Sequence, residues 1–195
     1  MPVVAMTYSD DTTVEFVPAY KDEIGASPNG VSHNPVGRAY WVPKNGKWEL
    51  ADYDYEADYI SARNSESAGL LISTIKMLKA IRREYFPSMK SFQLDILATA
   101  IVPVVVSVRT QGGGTVTFPE IIRDFFNLAP PYFALSAQIP GSHSATMTLA
   151  TSDVSTWTDL FGKITRFIDS LSAMPQESKK AEGWKTLFGD PFPIS

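Results

Sequence analysis

Two runs at the start of the chain alternate apolar residues with polar or small ones: Val4 and Met6 within residues 2–8, then Val14 and Phe16 within residues 12–17. A period of two places such residues on one face of an extended chain. The pattern therefore predicts two short strands of a half-buried hairpin, joined by the polar turn Ser9-Asp10-Asp11. Between residues 18 and 58 no period survives, and Gly, Pro, Asn, Tyr and Trp dominate. This stretch reads as a long connecting segment held by aromatic packing, because it is too apolar for a free linker.

Beyond it the apolar spacing becomes three-and-four. Leu70, Leu71, Ile75, Leu78, Ile81 and Tyr85 predict a helix with Asn64 or Ser65 as its cap and Pro87 as its stop. A second helix starts near Ser88 or Ser91 and carries Phe92, Leu94, Ile96 and Leu97 toward the apolar run 101–106. That run contains Pro103 and reads as a buried strand or a helix end. The triplet Gly112-Gly113-Gly114 breaks the chain. Pro119 then sits in the first turn of a third helix, where its missing N–H is harmless. The buried stripe of this helix is Ile121, Ile122, Phe125, Phe126 and Leu128, ended by Pro130-Pro131. A helix over residues 155–173 carries Trp157, Leu160, Phe161, Ile164, Phe167, Ile168 and Leu171 on one face, and a short one covers 180–188. The expected fold class is α+β, a small β element followed by a helical bundle.

Composition narrows this picture. The chain has 195 residues, 44% hydrophobic and 19% charged, with a formal net charge of −4. It is long enough to bury a core and too apolar for its charge to stay disordered. No run approaches the roughly 20 uninterrupted apolar residues of a membrane span. The absence of cysteine excludes a disulfide scaffold, a thiolate zinc site and a Cys nucleophile. No basic region followed by an apolar core opens the chain, so cytoplasmic residence is the expectation. A pI near 5.2 gives no global footprint for duplex nucleic acid, which leaves polyanion binding to a local basic cluster.

Few residues carry chemistry on their own. His33 and His143 stand in loops with no partner at ligand spacing and read as exposed loop residues. The Gly triplet lacks the Lys-Ser/Thr of a phosphate loop and reads as a flexible turn. Glu15 alternates with Val14 and Phe16 and precedes Pro18-Ala19, the strand-end position of many metal carboxylates and of many solvated residues alike. Lys76, Lys79, Arg82 and Arg83 form a basic stripe on the first long helix. It is either a solvated face that favours the helix C-terminus or a phosphate-binding stripe. In the second case Lys90 and Ser91 add an ammonium, a hydroxyl and free amide donors for the same anion.

Taken in order, these pieces resemble one family. Val14-Glu15-Phe16-Val17-Pro18-Ala19 is similar to a strand ending in a carboxylate, two apolar residues and Pro-Ala. Tyr40-Trp41-Val42-Pro43 with Trp48 is similar to an aromatic-Ile-Pro followed by tryptophan. Asn64 precedes the long helix, and Lys79-Ala80-Ile81 stands where that helix has Lys-x-Trp. Lys90-Ser91-Phe92 with Asp95 resembles Lys-Ser-Tyr with Glu, and Trp184, Phe188-Gly189 and Phe192-Pro193 resemble the closing signature. The family is the CD-NTases, nucleotidyltransferases like cyclic GMP-AMP synthase and oligoadenylate synthase, whose bacterial members make nucleotide second messengers in anti-phage defence.

The resemblance implies a palm sheet on a helical lobe, with the nucleotide in the cleft between. Here residues 1–58 would be the end of the palm and a connecting segment, and 59–195 the helical lobe. Three carboxylates of the family bind two magnesium ions, two from an Asp-x-Asp strand and one from the strand before Pro-Ala. By position Glu15 is the third, one methylene longer than the usual Asp. Lys79 and Ser91 would contact the triphosphate of the donor, with Lys76 and Lys90 in lesser roles. The Gly-Ser loop and Asp-x-Asp strand lie upstream in the family, whereas only fourteen residues precede Glu15. Asp10-Asp11 is no substitute, being in the turn before the Glu15 strand. The expectation is a C-terminal two-thirds that does not catalyse alone. Its partners would be nucleoside triphosphates and a complementing N-terminal segment or a regulatory protein. The alternative is a non-catalytic nucleotide-binding or protein-interaction module derived from this family.

Overall fold

The computed structural model describes residues 4–7, 9, 13–21, 40–44, 46–51, 53–111, 113–135, 137, 139, 147 and 151–189. The chain divides into two compact units, one of Met1–Tyr59 with Ile139–Ala145 and one of Ile60–Gln138 with Thr146–Ser195.

In the first unit, β1 (Val4–Thr7) and β2 (Thr13–Phe16) pair antiparallel, with Met6 opposite Val14 and Ala5 opposite Glu15. The predicted strands are present, and their apolar face is open to solvent: Met6 and Phe16 are each 49% exposed. A second sheet of three strands runs in the order β3 (Tyr20–Lys21), β4 (Tyr40–Lys44), β5 (Lys47–Ala51), all antiparallel. The expected connecting segment thus contains a hairpin. Its sequence signal is the dipeptide Asn45-Gly46 between two strand-length runs, and Gly46 adopts a φ of +74°. Trp41 and Ala51 are buried on this sheet, and the Tyr40 hydroxyl donates to Asp54 Oδ2 at 3.0 Å. That bond to a carboxylate raises the Tyr40 pKa.

The helix α1 (Tyr53–Glu66) begins eleven or more residues before the cap expected for the first helix, and none of its residues is buried. Without an apolar stripe it left no periodic trace. Asn64 nevertheless works as a cap, from a distance. The chain turns through Ala68 and Gly69, both at positive φ, and the Asn64 Oδ1 accepts the Ile72 N–H in the first turn of α2 (Leu70–Tyr85) at 3.0 Å.

The second unit continues with α3 (Ser91–Gln111), α4 (Phe118–Leu128), a 3-10 helix (Pro130–Ala134), α5 (Thr151–Ser172) and α6 (Glu177–Phe188). α3 packs on α2 and α4, α4 on α5, and α6 on α2 and α5. Most of the α2, α4 and α5 stripes lies inside as the spacing predicts, but Tyr85 and Leu128, the last members of the α2 and α4 stripes, are exposed at the helix ends. At the centre, the Phe161 ring lies 4.7 Å from Phe126 and 5.0 Å from Phe133, both edge to face, and 5.2 Å from Phe86 and 6.2 Å from Phe125, both tilted.

Residues 101–106 are neither a strand nor a helix end, because α3 runs through Pro103. A proline in a helix interior removes the N–H that would meet the carbonyl four residues back, which here is Thr99. The Arg63 Nε of α1 supplies the missing donor to Thr99 O at 3.2 Å. α3 also reaches a mean hydropathy of 1.8 over an 18-residue window, enough by length and composition to cross a membrane, and 61% of that window is buried inside the protein.

A chain of ion pairs ties α3, α4 and α5 together. Arg109 meets Glu120 at 2.7 Å and Asp124 at 2.8 Å, and Arg123 meets Asp124 at 3.0 Å and Asp169 at 2.8 Å. The α4 entry is capped by Glu120, whose Oε2 accepts the Thr117 N–H and hydroxyl at 3.0 and 2.8 Å. These Thr117 bonds, with the Arg109 charge, hold the Glu120 carboxyl below its ordinary value of 4.5. A carboxyl depressed in the folded state stabilises the fold above its unfolded pKa, and that contribution is lost as pH falls through the folded pKa. Glu120→Gln is therefore expected to flatten the loss of melting temperature on acidification below about pH 5. Parallel melting curves for the two proteins down to about pH 3 would remove Glu120 from the acid response.

Candidate functional site

The basic stripe of α2 separates, in the fold, into groups with different jobs. Arg82 donates from Nη2 to Pro87 O at 2.8 Å and from Nε to Met89 O, closing the turn between α2 and α3. Its guanidinium is spent on backbone carbonyls that have no helical partner, so it leaves the set of phosphate candidates. Lys79 Nζ lies 2.8 Å from Asp95 Oδ1 and 3.0 Å from Oδ2. This pair joins α2 to α3 and is partly shielded, with side chains 37% and 22% exposed. Lys76 and Arg83 are exposed and make no ion pair among the described residues.

The start of α3 is built by a reciprocal cap. The Lys90 N–H donates to Gln93 Oε1 at 2.7 Å, and the Gln93 N–H returns to Lys90 O at 3.0 Å. Ser91 opens the helix exposed, and no acidic residue stands in its first turn. Ser91 and Asp95 are four apart and so share a face of α3. The Lys79 ammonium is thus held at Asp95, which stands one helical turn along α3 from Ser91. Lys76 sits a turn back on α2 with no such tether, and Lys90 is exposed at the cap. Asp95, marked in the sequence only as the counterpart of the family's Glu, is in the fold the partner of Lys79. Its signal was available as an acid one turn into a helix whose hairpin partner carries a lysine stripe.

Glu15 lies in β2 opposite Ala5, and its side chain, like Asp10, Asp11, His33, His143 and Gly112, falls outside the described residues. Among the described residues no group of three or more His, Cys, Asp or Glu side chains gathers to hold a metal ion. They do not fit a two-magnesium site by themselves.

The closing motif has a structural use. The Trp184 ring stacks on Phe188 at 5.7 Å, and the Tyr85 hydroxyl donates to Thr186 O at 2.9 Å, docking α6 on α2. Gly189 ends α6 at φ +77°, ψ 163°, a region open in practice to glycine alone. A Cβ there would stand 2.6 Å from the Glu84 Oε1. Phe192 and Pro193 fall outside the described residues. A groove of about 360 Å³ lined by Arg63, Glu66, Pro103, Val104, Ser107 and Val108 runs between α1 and α3. Its charges are already committed, Arg63 to Thr99 O and to Glu66.

No protein-family model matches the sequence, and no curated protein matches it. In structure the chain is similar to Escherichia coli DncV in its 3′-deoxy GTP-bound form, with a TM-score of 0.65 and 12% sequence identity. The similarity covers 96% of this chain and 52% of DncV, so the chain spans about half the length of that neighbour. The chain thus has a nucleotidyltransferase-like fold, mainly helical with small antiparallel sheets.

Proposed function

We propose that this chain is the C-terminal portion of a cytoplasmic, magnesium-dependent nucleotidyltransferase of the CD-NTase type, which joins nucleoside triphosphates into an oligonucleotide second messenger. The observation that carries the reading is the likeness to DncV across 96% of the chain. DncV binds 3′-deoxy GTP in that structure, and the order of motifs from Glu15 to Phe188-Gly189 agrees with the same family.

In this reading the α3 entry is where this chain meets the triphosphate. Lys79 offers the ammonium hydrogen that Asp95 leaves over, Ser91 its hydroxyl, and the first turn of α3 its outward amides. Charge-assisted hydrogen bonds of this kind are about twice as strong as neutral ones. Lys90 and Lys76 add charge at longer reach. Glu15 would supply one magnesium ligand, with further carboxylates from a complementing segment. Magnesium, when bound, would neutralise the leaving pyrophosphate and activate the attacking hydroxyl.

The test is equilibrium binding of ATP, GTP, CTP and UTP to the chain in the presence of magnesium. Saturable binding is expected, weakened about tenfold by Lys79→Ala, the loss of one charge-assisted contact. Lys76→Ala, which removes only an exposed charge, is expected to change it by less than about threefold. Equal effects of the two substitutions would remove Lys79 from the site, and no binding of any triphosphate would overturn the reading.

A further inference from the structure

We infer that Asp95 is the positioning residue of the phosphate contact, holding the Lys79 ammonium in the place where a triphosphate meets it. The inference rests on the reading of Lys79 as a phosphate ligand. A lysine on a helix surface swings its ammonium on a flexible four-carbon stem, and any ligand that uses it must first immobilise it. Lys79 is already immobilised. Its Nζ lies 2.8 and 3.0 Å from the two Asp95 carboxylate oxygens. Asp95 is more shielded than Lys79, at 22% against 37% exposed, and stands on α3 one turn from Ser91 on the same face. The ammonium has three hydrogens, and the carboxylate leaves at least one for an oxyanion. Lys76, three residues earlier on α2, lacks an ion-pair partner among the described residues, which is the difference between the two lysines.

Two effects of Asp95 oppose each other. Its negative charge repels a polyphosphate, and its grip on Lys79 spares the ligand the cost of ordering that side chain. Water and salt screen the repulsion at this partly exposed place. The grip acts over direct contacts of 2.8 and 3.0 Å and the repulsion over the longer distance to the phosphates, so screening weakens the repulsion more and positioning is the larger effect.

The probe is inorganic tripolyphosphate, which carries the phosphates without a base, titrated calorimetrically into the full chain at low and moderate salt. Lys79→Ala is expected to weaken binding about tenfold. Asp95→Asn is expected to weaken it about fivefold, although it removes a negative charge beside a polyanion. Asp95→Glu should recover most of that loss. The double variant Lys79→Ala with Asp95→Asn should bind no worse than Lys79→Ala alone, because Asp95 acts only through Lys79. A partly exposed ion pair adds little to stability, so these variants should melt close to the wild type. Asp95→Asn binding as tightly as the wild type, or more tightly, overturns the inference while Lys79→Ala still upholds the phosphate reading. An additive double variant overturns it too. If Lys79→Ala leaves tripolyphosphate affinity unchanged, the phosphate role of Lys79 and the inference fall together.

Discussion

Phe161→Ala is expected to lower the unfolding free energy by about 3–5 kcal/mol, the range of large-to-small aromatic truncations in cores that cannot close over the gap. Phe161 is fully buried and stands at the junction of four rings. Phe86 follows the end of α2, Phe125 and Phe126 belong to α4, and Phe133 to the 3-10 helix. Those four rings are anchored by three different parts of the backbone. The hole left by the lost ring can be filled only if several elements move together, and the ion pairs from Arg109 to Asp169 resist such a movement of α3, α4 and α5. The lost edge-to-face contacts add to the lost burial. Phe161→Leu keeps most of the volume and is expected to cost less than half as much as the alanine. Urea unfolding followed by far-ultraviolet circular dichroism checks both values. A loss under about 1 kcal/mol for the alanine variant would mean that the ring cluster is not the centre of this core.

The helical part of the fold was legible because burial there leaves a period. α2, α4 and α5 each put apolar residues three and four apart, and all of them but Tyr85 and Leu128 at the helix ends are buried or half-buried. α1 was illegible for the converse reason. It buries none of its residues, and a helix without an apolar stripe looks like a polar loop. The β4-β5 hairpin has a sequence signal in Asn45-Gly46, and Pro43 within β4 works against it, since proline donates no ladder hydrogen bond. It is tolerated opposite Trp48, in a two-strand pairing that continues on both sides of it.

The candidate site divides in the same way. Charge and order of residues marked Lys79 and Ser91, and the fold holds Lys79 against Asp95, one turn along α3 from Ser91. What charge patterning could not separate was the work of individual cations. Arg82 looked like one more member of a stripe, yet at the helix end it serves the Pro87 and Met89 carbonyls. Lys79 looked like another member of the same stripe, yet it is held by Asp95, sixteen residues away in sequence. Such pairings depend on how the α2-α3 hairpin closes, a tertiary fact that one-dimensional spacing does not contain.

The second large effect is expected at Arg63, through a contact that no spacing rule would find. Pro103 deprives the Thr99 carbonyl of its helical donor, and Arg63 Nε replaces that donor at 3.2 Å. Thr99 is 3% exposed, so water has little access to take over. Arg63→Met keeps the stem and removes the donor, leaving a buried carbonyl without a partner at a cost of about 2 kcal/mol. The same substitution also breaks the pairing with Glu66, whose side chain is 55% exposed and whose contribution is small. A double-mutant cycle separates the two losses. In a Pro103→Ala background the residue at position 103 has its own N–H to give to Thr99, so Arg63 becomes redundant there. Arg63→Met should then cost less than about 0.5 kcal/mol, while the Glu66 contribution is the same in both backgrounds and cancels. The coupling between positions 63 and 103 is thus expected to be about 1.5 kcal/mol, read from urea midpoints at constant slope. An equal cost of Arg63→Met with proline or alanine at position 103 would show that Arg63 is not what allows a proline inside α3.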